Sequence, residues 1–83
     1  MQLPTVHYNG TSKEELIKQL CHAANSIDTA FDALRQTAPN GRDYYPQGPE
    51  AFERAIIQHR DRMARLDAIK EELEAMVVAI DRL

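Results

Sequence analysis

Residues 51–83 read AFERAIIQHRDRMARLDAIKEELEAMVVAIDRL, and large side chains return in this stretch at seven-residue steps. Phe52, His59, Leu66, Leu73 and Ile80 hold one heptad position, Ala55, Arg62, Ile69, Met76 and Leu83 hold the other, and Ile56, Met63 and Val77 widen the stripe. Seven residues make about two helical turns, so these side chains share one side of a single long α-helix. A strict seven-residue repeat drifts against an ideal helix, and this predicts left-handed winding around a partner helix. Ile57 and Val78 fall on the back of the same helix, away from the seam.

Upstream, Pro49 suits the first position of this helix, and Glu50 and Glu53 place negative charge near the positive end of its dipole. The preceding Asn40-Gly41-Arg42-Asp43-Tyr44-Tyr45-Pro46-Gln47-Gly48 has two glycines, a proline and no helical period, which predicts a connecting turn. Pro39 closes an earlier helix in which Leu20, Ile27 and Leu34 recur every seven residues, flanked by Leu16, Ala23, Ala30 and by Ile17, Ala24, Phe31, Ala38. Two overlapping capping boxes, Thr11 with Glu14 and Ser12 with Glu15, mark its start. Pro4 and Asn9-Gly10 make the first ten residues an extended arm.

The sequence thus predicts an all-α, coiled-coil-like antiparallel two-helix hairpin, one domain over residues 1–83. Its parts are an arm (1–10), helix one (11–38), a turn (39–48) and helix two (49–83). At about 1.5 Å per residue the helices would be roughly 40 and 50 Å long. The expected overhang of helix two is Ala75 to Leu83, beside the start of helix one. Three apolar rows on each helix, with Ile57 and Val78 behind them, exceed what one hairpin buries, and a homodimer forming a four-helix bundle is the simplest cover. The pattern is compatible with dimer or tetramer and with either docking orientation of the hairpins.

An apolar fraction of 43%, a charged fraction of 28% and a net charge of -3 describe an ordinary folded chain with no bulk attraction to nucleic acid or anionic membranes. The start lacks the charge and apolar run of a signal peptide, no stretch is long enough to span a bilayer, and the single cysteine, Cys21, forms no internal disulfide. A cytoplasmic setting is the expectation. Cys21 and His22 diverge by about 100° on a helix, and no Glu-x-x-His, His-Glu-x-x-His or phosphate-loop motif occurs, so no metal, cofactor or enzymatic activity is expected.

Two clusters are candidates for contact. Arg42, Asp43, Tyr44 and Tyr45 gather charge, hydroxyls and aromatic area in the turn, either to meet a protein partner or, more simply, to cover the end of the core and cap the backbone. His59 and Arg62 interrupt the seam one turn apart, and with Ile57 and Val78 are expected to set oligomer specificity. A catalytic or pH-sensing role for His59 is the weaker reading. Arg54, Arg60, Arg62 and Arg65 make the first half of helix two basic, while Asp67, Glu71, Glu72 and Glu74 make the second acidic. Antiparallel association of two copies would join these halves. The alternative is a nucleic-acid-associated regulator touching phosphate through Arg54, Arg60 and Arg65.

Asn9-Gly10-Thr11-Ser12 together with Asn40-Gly41-Arg42-Asp43-Tyr44-Tyr45-Pro46-Gln47-Gly48-Pro49-Glu50-Ala51 resembles a group of short phage- and prophage-encoded helical-hairpin proteins of unassigned function. The specific part is the turn. The resemblance covers most of the chain and implies an accessory or assembly role in a phage or mobile element. It brings no catalytic or binding residue with it.

Overall fold

The computed structural model describes all 83 residues as two α-helices, α1 (Lys13–Arg35) and α2 (Pro49–Asp81), joined by two three-residue 3-10 turns and containing no strand. Ser12 caps α1: its hydroxyl accepts a hydrogen bond from the Glu15 amide at 3.1 Å. Of the two capping boxes, the Ser12 hydroxyl half of the second is formed, the Glu15 carboxylate accepting from Gln19 at 3.4 Å instead, and the helix begins two residues later than position 11.

The end of α1 corrects the expected limit of 38. The amides of Gln36, Thr37 and Ala38 reach back three residues, to Ala33, Leu34 and Arg35, and the Thr37 hydroxyl donates to the Leu34 carbonyl at 2.7 Å. Pro39 disfavours α-helical geometry in the residue before it. The last turn accordingly tightens and stops. Within the turn, the Asn40 side chain accepts from the Arg42 amide at 3.0 Å and starts the 3-10 turn Gly41–Asp43, and Tyr45–Gln47 forms the second. Gly48, at φ 99 and ψ 161, then reverses the chain into α2. A side chain there is strained whatever the space around it.

The helices are antiparallel. Asp28 faces Lys70, Leu34 lies beside Leu66, and Ala24 lies beside Val77. In this register α1 ends opposite about Leu66, so the unmatched part of α2 is its beginning, Pro49–Arg62, roughly 20 Å long. This reverses the expected overhang. Ala75 to Asp81 runs alongside α1, and Ile80 is wholly buried. In the arm, Leu3 and Pro4 are half-buried.

The seam of α2 departs in part from expectation. Phe52, His59, Leu66, Leu73 and Ile80 are buried or half-buried, and so are Ile56, Met63, Lys70 and Val77 on one flank; of the expected companion row Ala55 and Met76 are half-buried, whereas Arg62, Ile69 and Leu83 are exposed. Lys70 takes a seam-edge position by giving its ammonium to Asp28 at 2.6 Å, with Glu74 at 3.9 Å. A lysine so placed covers apolar surface with its stem while its charge is met across the helix pair.

Candidate functional site

Two regions carry features beyond what the helix pair itself requires. The first is a polar hollow between the connecting segment and the beginning of α2. Phe52 packs against the Tyr44 ring, with centroids 6.3 Å apart, and against the backbone of Gly41. This contact holds the segment over the part of α2 that α1 does not reach. The hollow that remains has a volume of about 250 Å³. Arg54, His59 and Arg62 line it from α2, and Thr37, Tyr44 and Gln47 line it from the connection, over a floor that includes the buried Ala51.

His59 is 9% exposed and makes no hydrogen bond within the chain, yet neither of its ring nitrogens is sealed from solvent. Its remaining exposure therefore includes the polar edge of the ring. No carboxylate lines the hollow. Arg54 has Glu50 at 3.9 Å, and Asp61 is engaged with Arg65 at 3.0 Å, so Arg62 has no ion-pair partner.

The second region is the side of the hairpin marked by Ile69. Leu34, Leu66 and Ile69 line a shallow hollow there with Arg62 and Arg65, and Ile69 is 51% exposed. The other side carries paired charges around two further hollows, one of them edged by the exposed Val78. Lys70 bridges to Asp28, Arg35 pairs with Asp32 at 3.5 Å, and the Arg35 guanidinium lies 5.3 Å from the Phe31 ring centre. The hydrogen bond to Asp28 is the main cause that raises the Lys70 pKa above its ordinary value, against a smaller opposing effect of burial.

The candidate residues from sequence separate in space. Tyr44 is half-buried on Phe52, as an end-covering tyrosine should be, while Tyr45, Arg42 and Asp43 are exposed and neither charged side chain enters an ion pair. His59 is buried under the connection. Arg62 leaves the seam and stands at the rim, correcting its placement as a seam residue. The misreading arose because both flanking rows of α2 are apolar enough to serve as the seam. Ile57 and Val78 are exposed, at 66% and 49%, on the outer surface about 30 Å apart along the helix. Ile69 and Val78, nine residues apart, point to opposite sides.

Of the basic cluster, Arg60 is about 140° around the helix from Arg65, so Arg54, Arg60 and Arg65 do not share one face. No three His, Cys, Asp or Glu side chains converge to hold a metal, and no helix is long and apolar enough to cross a membrane. Lys70 is a residue that sequence reasoning passed over, and Ile69, expected in the seam, is instead exposed. The signal for Lys70 was its seven-residue spacing from Met63 and Val77. No family model, curated protein or solved structure matches the chain.

Proposed function

We propose that this chain is a non-enzymatic helical interaction protein that covers the Ile69 side of its hairpin with a second copy of itself, giving a four-helix bundle. The observation that carries this reading is surface. The chain exposes 6371 Å², whereas a compact protein of its 9.5 kDa exposes about 5,000 Å². The excess is of the size that one partner contributes to an ordinary protein interface, about 800 Å² or more.

The chemistry of the two sides supports the choice of face. The side with Asp28, Lys70 and Arg35 has its charges engaged, whereas Leu34, Leu66 and Ile69 present apolar surface with charge only at the rim. Such a bundle is suited to an accessory or assembly role in a phage or mobile element, in a cytoplasmic setting, with the exposed Arg42, Asp43 and Tyr45 as contacts for a further protein.

Light scattering coupled to size-exclusion chromatography across a dilution series tests this. The expected mass is twice 9.5 kDa, and Ile69→Asp should halve it while leaving helicity intact. A helical monomer at every concentration would overturn the reading.

A further inference from the structure

The hollow beneath the connecting segment shares only Arg62 with the Ile69 side, and its composition is unlike that of a core. We infer that it is a binding site for a small phosphate-class oxyanion, either the free ion or the phosphate group of a small monoester. Several observations converge on this class of ligand.

The first is the sign of the charge. Arg54 and Arg62 line the hollow and no Asp or Glu does. Their nearest competitors are accounted for, because Glu50 is at a loose 3.9 Å from Arg54 and Asp61 is taken by Arg65 at 3.0 Å. A planar guanidinium with unused donors is matched to the paired oxygens of phosphate.

The second is His59. A polar side chain that is nine-tenths buried ordinarily has a hydrogen-bond partner. Here no group of the chain supplies one, its ring nitrogens keep some access to solvent, and the residue is among those that line the hollow. Imidazole offers an N–H donor in either protonation state. Tyr44 and Gln47, which line the hollow from the connection, are side chains that carry neutral donors.

The third is size. At about 250 Å³ the hollow has room for one anionic group with a small substituent, just below the range of roughly 300–1,000 Å³ usual for drug-sized ligands. A nucleic-acid strand would need a longer basic track, and Arg60 on another face does not extend this one.

Titration of the ¹⁵N-labelled full chain, followed by two-dimensional NMR, tests the assignment. Inorganic phosphate and glycerol phosphate are the two ligands, and sodium chloride at matched ionic strength is the control. Saturable shifts at His59, Gln47 and the Arg62 side chain are expected with phosphate and absent with chloride. Equal affinity for the two phosphates assigns the site to the free ion, and tighter binding of glycerol phosphate assigns it to a monoester. Either result supports the proposal.

Arg62→Ala and Arg54→Ala replace exposed residues, and each should weaken binding about tenfold or more, as expected for a charge-assisted hydrogen bond. The solution mass and helicity of both variants are measured alongside, which separates lost anion binding from lost assembly. Non-saturating shifts, the same response to chloride, or unchanged affinity in both variants would overturn the proposal. Binding of duplex DNA with no response to either small phosphate would overturn it as well.

Discussion

The two halves of α2 carry one unbroken heptad row, yet they are covered in different ways. From about Met63 to Asp81 the row packs against α1, and the result is apolar and ends in the fully enclosed Ile80. From Pro49 to Arg62 the same row meets the connecting segment, and the result is a tyrosine on a phenylalanine beside a hollow lined by arginines and a histidine. A heptad repeat therefore states that a face will be covered but not by what. A helix supplies apolar knobs, whereas a short segment wound in 3-10 turns supplies backbone, hydroxyl and amide groups. The chemistry able to hold a ligand gathers where the helical partner runs out.

If the half of α2 packed against α1 is the mechanical base of the hairpin, a charge placed in it should be the most damaging change. Ile80→Asp buries an unpaired carboxylate and should cost more than about 3 kcal/mol, seen as loss of helical circular dichroism. A variant retaining its melting temperature would erase the contrast between the halves. The next effect belongs to the half covered by the connection. Gly48→Ala forces a side chain into a backbone region reserved for glycine and should cost about 1–3 kcal/mol in urea unfolding, with loss of near-ultraviolet signal from Tyr44.

Ser12→Ala removes the cap at the far end of the molecule and should cost about 1 kcal/mol by the same assay, without disturbing the tyrosine signal. The smallest effect is one of pH. Asp28 holds Lys70 protonated above the ordinary lysine value of 10.5, so folding favours the charged ammonium. That contribution is complete below this value and is lost as pH rises through the raised one. Wild type and Lys70→Met should therefore differ most at neutral pH and converge in strong alkali. A constant difference across that range would assign Lys70 to packing alone.

The helices and their antiparallel pairing were legible because periodicity is a property of the chain itself. The row through Leu66 and Ile80, the start at Pro49 and the Ser12 cap all follow from spacing and capping chemistry. The register was not legible. It depends on where α1 stops, and that stop is set three residues early by the backward-reaching amides of residues 36–38 ahead of Pro39. The connection, lying along the beginning of α2 through Tyr44 and Phe52, is what exchanged the overhanging end. The companion row was misassigned because Lys70 reads as a surface charge until Asp28 is known to face it. Tyr44 and His59 were singled out as unusual, but their proximity is created by the fold, as is the company of Gln47 and Arg54.

The chain is a rod, 61 × 21 × 17 Å, with a radius of gyration of 18.5 Å against about 12 Å for a compact chain of this length. Hydrodynamic drag follows the long dimension more than the mass. A single copy should therefore migrate through a gel matrix like a considerably heavier sphere and tumble anisotropically, with amide bond vectors along the helix axes relaxing differently from those across them. Elution volume alone would overstate its mass, and rotational diffusion would report the axial ratio directly.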